Sequence, residues 1–340
     1  MTKTTMESTI TALLAPGKGI LAADESFPTI GKRFAALNIP STQENRRSYR
    51  ELLFTTPGLP GFISGAILFD ETIRQMSGRG ASMPEILAWQ GIVPGIKVDG
   101  GATALPGFAG EKVTQGLDGL RERLAVYKDL GARFTKWRAV ILIGERVPTA
   151  TCIEANARAL ALFAAFSQEA GLVPIVEPEV LMDGSHTLER CREVTEEVLH
   201  SVFNQLCIQR VSLEGMILKP NMVLPGLTCA KQETVDEVAD ATVRSLLRVV
   251  PAAVPGVAFL SGGQSGELAS ARLNAMNASF KSRLPWALAF SFARAIQQPA
   301  LEIWRGDQAN VPAAQQALLH RARCNCAARR GEYNAAMERT

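Results

Sequence analysis

The sequence predicts an α/β fold, a (β/α)8 TIM barrel that residues 1–340 form as a single domain. Eight short apolar segments alternate with helical segments, which indicates a parallel sheet, and a count of eight favours a closed barrel. No Pro/Ser-rich linker or change of composition divides the chain. The alternative is an open doubly wound sheet, which usually has a glycine-rich phosphate turn after its first strand. Here the first apolar run ends in Asp24-Glu25-Ser26 instead.

The strands are predicted from short apolar runs, most of which end in a polar or charged residue. An apolar run of this length that is bounded by glycine or proline is typical of a buried parallel strand. The eight predicted strands cover residues 19–26, 65–70, 91–99, 132–139, 172–179, 213–219, 256–263 and 286–292.

The helices are predicted from apolar residues at helical spacing and from start and stop signals. Thr42 or Ser41 is the expected N-cap of the second helix, and Pro16-Gly17, Gly131 and Gly171 end helices. The predicted helices cover residues 6–14, 42–53, 84–90, 119–130, 152–170, 185–205, 233–249, 265–275 and 313–328. After them we expect a short polar C-terminal tail from about residue 329.

Composition excludes several classes of function. The net charge is +3 and no long basic run is present, so we expect no nucleic-acid partner and no membrane surface. The six cysteines contain no Cys-x-x-Cys pair and are expected to be reduced thiols. The three histidines have no metal-ligand spacing, so we expect no metal site and no cofactor. No apolar run approaches membrane-spanning length, which predicts a soluble, cytoplasmic protein.

Charged and polar groups recur at the predicted strand ends, where a barrel of this type holds its catalytic residues. Because strand side chains alternate faces, Lys136 and Arg138 should share one face, and Glu177 and Glu179 another. The strand-end residues are Asp24, Asp70, Lys97, Lys136, Arg138, Glu177, Glu179, Lys219, Ser261 and Arg294. We expect the two pairs to converge on one mouth with Lys219.

Lys219 follows the apolar run Met216–Leu218 and precedes Pro220, which favours an extended backbone. A lysine at the end of a buried strand is a candidate amine nucleophile. The nearby cation of Lys136 would disfavour the ammonium form of Lys219. Glu177 is of the right type to transfer protons during imine formation, and Asp24 to take a hydroxyl proton. The iminium would be the electron sink, so this chemistry requires no metal.

Two groups of residues are candidate phosphate sites. Ser261-Gly262-Gly263 lies between a strand and a helix, where backbone N–H groups and the helix dipole favour an anion. Ser291 and Arg294 follow the eighth strand, and this part of the barrel is a frequent phosphate site. The second predicted group consists of Lys97, Arg33 and Arg46.

Several strings together resemble the class I fructose-bisphosphate aldolases. The resemblance runs from about Leu13 to Tyr333. The strings are Leu21-Ala-Ala-Asp-Glu-Ser26, Gly95-Ile-Lys-Val-Asp99, Thr114-Gln-Gly-Leu-Asp-Gly119, Lys136-Trp-Arg138, Val176-Glu-Pro-Glu179, Leu218-Lys-Pro-Asn-Met222, Phe259-Leu-Ser-Gly-Gly-Gln-Ser265 and Arg294.

The resemblance implies a metal-free lyase of glycolysis and gluconeogenesis that reversibly splits fructose 1,6-bisphosphate into dihydroxyacetone phosphate and glyceraldehyde 3-phosphate. It implies that Lys219 forms the Schiff base, that Glu177 transfers protons and that Asp24 is the base for cleavage. Lys136 and Arg138 would assist, with Glu179 beside them. Substrate contacts would fall on Arg33, Ser261, Gly262, Gly263, Ser291 and Arg294, with Lys97 nearby. It also implies a homotetramer in the cytosol.

The chain departs from the family pattern in four places, one of which is Asp99-Gly100-Gly101, where the first glycine replaces a common lysine. Phe27-Pro28-Thr29 replaces Thr-Gly-Ser, which we expect to stiffen a loop while Thr29 keeps a hydroxyl for a phosphate. Ser291-Phe-Ala-Arg294 replaces Ser-Tyr-Gly-Arg. Many members end in a mobile tail with a terminal tyrosine that assists proton transfer at the enamine, and no tyrosine follows Tyr333 here. These departures leave open which group protonates the enamine and whether fructose 1-phosphate is preferred.

Two other functions stay open at the level of sequence. One is another lysine-dependent barrel aldolase that acts on a sugar monophosphate and needs no second phosphate group. The other is a catalytically weakened scaffold protein that keeps the barrel. The intact set of Asp24, Lys136, Glu177 and Lys219 argues against the scaffold, because buried charges are costly to retain without a use.

Overall fold

Eight parallel strands close into a barrel at the centre of the molecule, with β1 paired to β10 to complete the ring. The computed structural model describes the backbone of residues 2–339 and the side chains of residues 5–280 and 282–339, so residues 1 and 340 of the predicted domain lie outside it. The strands are β1 (Gly19–Ala22), β2 (Ile63–Leu68), β3 (Val93–Lys97), β4 (Gly101–Ala104), β5 (Lys112–Gln115), β6 (Phe134–Ile141), β7 (Val173–Val180), β8 (Ile217–Leu218), β9 (Gly256–Phe259) and β10 (Ala287–Phe292). Within the ring, β3 is followed by β6, because β4 and β5 form a separate antiparallel hairpin. The predicted (β/α)8 barrel is confirmed.

Helices surround the barrel. They are α1 (Thr2–Leu13), α2 (Phe27–Ala35), α3 (Gln43–Phe54), α4 (Asp70–Ile73), α5 (Met83–Trp89), α6 (Leu120–Asp129), α7 (Ala150–Glu169), α8 (Leu188–Ile208), α9 (Val235–Val249), α10 (Gly266–Phe280), α11 (Arg294–Trp304) and α12 (Val311–Arg330). Short 3-10 helices cover Leu59–Gly61, Leu213–Gly215, Lys281–Arg283, Gln308–Asn310 and Ala335–Arg339. The predicted cap Thr42 accepts a hydrogen bond from the backbone N–H of Asn45 at 3.1 Å, so α3 begins where its cap satisfies a free donor.

The strand predicted over residues 213–219 is much shorter in the structure. Residues Leu213–Gly215 form a 3-10 turn, and only Ile217–Leu218 pair with the neighbouring strands. The backbone N–H of Lys219 still donates to the carbonyl of Val176 at 2.8 Å. The next residue, Pro220, has no N–H to donate, so the ladder ends there. This places the Lys219 side chain at the rim of the barrel.

The N-terminal end of the barrel is closed by α1. Ile10 and Leu13 of this helix pack with Phe134 and the other apolar side chains that fill the barrel interior. A Cβ atom at Gly95 would lie 2.2 Å from the Phe134 ring, and one at Gly65 would lie 2.4 Å from Leu13. Glycines at these positions therefore make room for a tightly filled floor.

The segment predicted as a polar tail from about residue 329 begins with the last residues of α12. Gly331 ends this helix with φ +79°, a conformation that glycine adopts without strain. The backbone N–H of Tyr333 then donates to Asn274 Oδ1 of α10 at 2.8 Å, and the terminal 3-10 helix follows. Throughout residues 2–339, no helix has both the length and the apolar character needed to cross a membrane.

Candidate active site

The C-terminal ends of the strands surround a cleft of about 500 Å³. Most of the residues predicted from strand ends and phosphate-site patterns line this cleft. They are Asp24, Thr29, Arg33, Lys97, Lys136, Arg138, Glu177, Glu179, Lys219, Ser261, Gly262, Ser291 and Arg294. The parallel barrel therefore brings together side chains that lie far apart in the sequence, as the alternation of strands and helices predicts.

Lys219 and Glu177 form the centre of the site. The Lys219 ammonium nitrogen lies 3.2 Å from Glu177 Oε1, and both side chains are 4% exposed. β7 holds Glu177 in register with Arg138 of β6, while β8 ends at the residue before Lys219. The nitrogen of Lys219 is thus held at the base of the cleft next to a carboxylate that can exchange a proton with it.

Lys136 connects Glu177 to Asp24. Its Nζ lies 2.6 Å from Asp24 Oδ2 and 3.1 Å from Glu177 Oε2. Burial lowers the pKa of Lys136, but the charges of Asp24 and Glu177 outweigh burial and raise that pKa above its usual value. Lys136 therefore stays protonated. Two carboxylates lie beside this cation, so its charge is compensated within the site.

The two carboxyl groups that face these lysines are ionised. Burial raises the pKa of Asp24, but the charges of Lys136 and Lys219 outweigh it and lower the pKa to about 2. Burial likewise raises the pKa of Glu177, and Lys136, Lys219 and Arg138 lower it below its usual value. Both groups are therefore proton acceptors in the free enzyme.

The charged side chains at the outer rim of the cleft, next to this cluster, also form ion pairs. Arg138 Nε donates to Glu179 Oε2, and Arg138 is 42% exposed at its side chain. Lys97 Nζ lies 2.9 Å from Asp99 Oδ1, whose second oxygen accepts from the Arg138 backbone N–H at 3.2 Å. The predicted alternation is confirmed, because Trp137 points away from the cleft and stacks on Phe163 of α7.

The loop after β9 is held in place from two sides. Arg294, at the start of α11, donates to the carbonyl of Gly262 at 2.8 Å. Behind the loop, Gln264 Nε2 donates to the carbonyl of Ser261 at 3.0 Å, and the buried Arg272 donates to Gln264 Oε1 at 2.9 Å. Gly262 has φ +57°, which a glycine adopts at little cost. These contacts fix the backbone beside which an anion would bind.

The Ser291 hydroxyl lines the same side of the cleft and is buried. Ser291 lies on β10, is 1% exposed, and its Oγ has no hydrogen-bond partner among the described residues. A buried hydroxyl without a partner carries a desolvation cost that a bound ligand can remove. Ser291 is therefore positioned to bind a polar group of a substrate.

The segment Phe27-Pro28-Thr29 forms the first turn of α2 and not the stiff loop that we expected. Proline is favoured in the first turn, where its missing N–H has no partner to lose. Ser26 Oγ and Thr29 Oγ1 lie 3.2 Å apart at this helix end, and both line the cleft. One turn further on, Arg33 reaches the cleft and is 9% exposed.

Two of the predicted contacts require correction. Arg46 does not line the cleft, because α3 turns it towards Glu71, to which it donates two hydrogen bonds of 2.8 and 2.6 Å. Gly263 does not line the cleft either, and its backbone N–H donates to the sulfur of Met182 at 2.8 Å. The side of a helix that faces a site depends on packing, which the sequence did not reveal for Arg46.

Sequence reasoning missed four polar residues of the cleft, one of which is Lys32 of α2. Glu25 lines it and binds both Arg33, at 2.5 Å, and the buried Arg50, at 2.7 Å. Asp99 and Ser26 line it as well. Glu25 and Ser26 directly follow Asp24, and Asp99 lies two residues after Lys97 at a strand end, so extending each strand-end pattern by two residues would have found them.

Comparison with known proteins gives a consistent result. The family model of class I fructose-bisphosphate aldolase, described as glycolytic, matches residues 5–340. A probable fructose-bisphosphate aldolase class 1 of Xanthomonas axonopodis pv. citri is 55% identical over 329 residues, which cover 96% of this chain and 98% of that protein. Cytosolic fructose-bisphosphate aldolase 6 of Arabidopsis thaliana is 53% identical over 318 residues, which cover 94% of this chain and 88% of the plant protein.

A solved structure supports the same assignment. It is the ternary co-crystal structure of fructose-bisphosphate aldolase from Plasmodium falciparum with TRAP and a small-molecule inhibitor. It superposes with a TM-score of 0.95 at 49% identity and covers 98% of this chain and 96% of that chain. A family match across nearly the whole chain decides against the other lysine-dependent barrel aldolases. The chain belongs to the class I fructose-bisphosphate aldolases, a family of metal-independent lyases.

Proposed function

We propose that this chain cleaves fructose 1,6-bisphosphate into dihydroxyacetone phosphate and glyceraldehyde 3-phosphate, in glycolysis and in reverse, through a Schiff base on Lys219. The observation that carries the proposal is the buried pair of Lys219 and Glu177, whose nitrogen and oxygen lie 3.2 Å apart at the base of the cleft. An amine held beside an ionised carboxylate has both a route to lose its proton and a confined space in which to attack a carbonyl.

In the first stage, Glu177 accepts a proton from Lys219, and the neutral amine attacks the ketone carbon of the sugar. The carbinolamine then loses water, with Glu177 returning a proton to the leaving hydroxyl. A protonated imine results. The lowered pKa of Glu177 supports its starting role as acceptor. Lys136, which lies 3.1 Å from Glu177 Oε2, holds the carboxylate in place during both transfers.

In the second stage, Asp24 takes the proton of the C4 hydroxyl, and the bond between C3 and C4 breaks. The electron pair of this bond moves into the iminium and forms an enamine, while C4 becomes the aldehyde carbon of glyceraldehyde 3-phosphate. Asp24 suits this role because its pKa of about 2 keeps it ionised. Protonation of the enamine and hydrolysis of the imine then release dihydroxyacetone phosphate and regenerate Lys219.

The two phosphates bind at opposite sides of the cleft in this proposal. Ser261, Gly262, Ser291 and Arg294 form one phosphate site, supported by the unpartnered Ser291 hydroxyl and by the loop that Arg294 holds. Gly263 supports that loop and makes no direct contact. The second site is formed by Arg33, Lys97 and Thr29 without Arg46. Arg138 and Glu179 line the rim between the two sites.

We further propose that the whole chain works as one catalytic domain within a homotetramer in the cytoplasm. The names of the relatives support the location, since the Arabidopsis protein is called cytosolic and a Spinacia oleracea relative is called the cytoplasmic isozyme. Apolar side chains that are exposed on helices, such as Trp89 of α5 and Ile208 of α8, support association. Sedimentation velocity of the purified chain tests the tetramer.

Trapping the imine tests the mechanism. Incubation with dihydroxyacetone phosphate and borohydride is expected to reduce the Schiff base and to leave a stable adduct on Lys219, located by peptide mass spectrometry. Lys231→Met serves as the control, because it removes an exposed amine that does not line the cleft and should still form the adduct. An adduct on any other lysine, or no adduct at all, would refute the assignment of Lys219.

A further inference from the structure

Three potential metal ligands meet where α12 contacts the C-terminal 3-10 helix (Ala335–Arg339). His320 and Cys324 are four residues apart on α12 and so lie on one face of the helix. Glu338 of the 3-10 helix lies against this face, and the three ligand atoms lie within 4.8 Å of one another. None of the three residues lines the catalytic cleft. We propose that His320, Cys324 and Glu338 form a zinc site that fastens the C-terminal segment to α12.

The spacing of the ligand atoms matches a tetrahedral ion. His320 Nε2 lies 3.7 Å from Cys324 Sγ and 3.6 Å from Glu338 Oε2. Bonds of about 2.0–2.3 Å at tetrahedral angles separate the ligand atoms of zinc by about 3.4–3.6 Å. The two distances from His320 thus lie within a few tenths of an ångström of those of a bound ion, and the third pair, Cys324 and Glu338, lies within 4.8 Å and would close on the metal, with water in the fourth position.

The carboxylate is already oriented by its neighbours. Glu338 Oε1 accepts from the Tyr333 hydroxyl at 2.8 Å and from Arg321 Nη1 at 2.6 Å. Arg321 is itself anchored, because its Nη2 donates to Ser270 Oγ of α10 at 2.7 Å. Arg321 also lies 2.5 Å from Glu338 Oε2, so the metal shares that oxygen with a guanidinium. Hydrogen bonds of this kind to a ligating carboxylate are typical of built metal sites.

The donor set selects the metal. Imidazole nitrogen, thiolate sulfur and carboxylate oxygen suit zinc, whereas magnesium and calcium take oxygen ligands. Zinc binds the thiolate form of cysteine, so binding releases the Cys324 thiol proton to solvent as the zinc–sulfur bond forms. Cys324 is buried, while His320 and Glu338 are 29% and 18% exposed, which gives the ion access from solvent.

This proposal concerns attachment of the C-terminal segment and not the aldol chemistry. The metal joins α12 to a segment that otherwise depends on the ion pair of Arg321 and Glu338 and on the contacts of Tyr333. The proposal therefore predicts a zinc-dependent change at residues 331–339 while the metal-independent reaction in the cleft continues.

Cobalt binding to the full chain tests the site directly. Enzyme treated with a chelator and then titrated with Co²⁺ is expected to bind one ion per chain with a thiolate-to-cobalt charge-transfer band, which Zn²⁺ abolishes by displacement. Cys324→Ser should lose the band, and Glu338→Gln should bind at least about tenfold more weakly. Cys207→Ser, which removes an exposed thiol, and Glu332→Gln, which removes an exposed acid of the same segment, should both behave as the parent.

Limited digestion with carboxypeptidase adds a readout of the segment itself. Zinc should slow the release of C-terminal residues from the parent chain but not from Cys324→Ser or His320→Gln, with unchanged circular dichroism showing that the variants are folded. Absence of cobalt binding by the parent, a band that survives Cys324→Ser, or equal zinc protection in all variants would overturn the proposal. Each of those results would leave a contact held only by the Arg321–Glu338 ion pair and hydrogen bonds.

Discussion

The two sides of the cleft are built on different principles. On the side of β1, β6, β7 and β8, each charged side chain already has a partner, as in the chain from Asp24 through Lys136 and Glu177 to Lys219. On the side of β9 and β10, the site offers a hydroxyl without a partner, that of Ser291, and a glycine loop. The paired side is organised before substrate arrives, whereas the open side gains its partner only on binding. The first should therefore control the rate of the chemical steps, and the second the affinity.

The largest effect is expected at the centre of the paired side. Lys219→Ala should lower kcat by about ten-thousand-fold or more, because no covalent intermediate can form without the amine. Steady-state assays of fructose 1,6-bisphosphate cleavage measure the loss, and a thermal melt shows whether the variant is folded. A variant that is folded and retains kcat within about tenfold of the parent would place the nucleophile elsewhere.

The next largest effect is expected at Glu177, where a substitution distinguishes a role in proton transfer from a role in substrate binding. Glu177→Gln keeps the shape of the side chain but removes the proton acceptor that lies 3.2 Å from Lys219. We expect kcat to fall by about a hundred- to ten-thousand-fold with little change in KM. A loss confined to KM would show that Glu177 acts in binding, and the distinction between the two sides would fail.

The open side is tested with Ser291→Ala. Removing one hydrogen bond to a phosphate should raise KM by about ten- to 150-fold and leave kcat nearly unchanged, because such a bond contributes about 1.5–3 kcal/mol. Ser245→Ala is the matched control, since Ser245 of α9 is also buried, also lacks a partner among the described residues and does not line the cleft. A comparable fall in kcat for Ser291→Ala would mean that this side also takes part in the chemistry.

A smaller effect is expected from comparing Arg33 with Arg46, which tests how far the second phosphate site extends. Arg33 lines the cleft and Arg46 does not, so Arg33→Met should raise KM for fructose 1,6-bisphosphate more than for fructose 1-phosphate. Arg46→Met should change either KM by less than about twofold. Equal effects of the two substitutions on the bisphosphate would show that the site extends to α3.

The smallest effect concerns stability in acid. The pKa of Asp24 falls from its ordinary value of 3.8 to about 2 on folding, so its ionised form favours the folded state above pH 3.8. That contribution, about 2 kcal/mol, is lost as the pH falls from 3.8 towards 2. Urea unfolding at several acidic pH values should show a shallower loss of stability for Asp24→Asn than for the parent. Parallel curves would contradict the ionised Asp24–Lys136 pair.

The sequence was sufficient for the barrel and for the paired side of the cleft. Strand alternation places Lys136 and Arg138 on one face regardless of which distant residues they contact, so the local sequence pattern was enough to predict their shared face. It was insufficient where packing decides, as for Arg46, whose direction depends on Glu71 of another helix. The carboxylates beside Lys136 are likewise a product of the closed ring, since Asp24, just after β1, comes from more than a hundred residues away.

Local signals were also misread in places. Phe27-Pro28 begins α2, although we interpreted the proline as stiffening a loop. Helix α11, which contains Pro299, was not predicted. The hairpin of β4 and β5 was missed because its strands are short and largely exposed and so lack an apolar run. The four-residue spacing of His320 and Cys324 was visible in the sequence, but Glu338 joins them only through the fold of the terminal segment.

Closure of the N-terminal end of the barrel by α1 determines how water and substrate reach the site. The barrel interior next to Lys219 is filled by Ile10, Leu13 and Phe134, so water and substrate can both enter only through the cleft. A sugar phosphate bound in the cleft blocks the path by which bulk water would reach an imine. The apolar side chains at the closed end of the barrel leave no second path for water. We therefore expect an imine on Lys219 to be hydrolysed only after the first product has left the cleft, so that in the reverse direction the enamine can react with an aldehyde before it is lost.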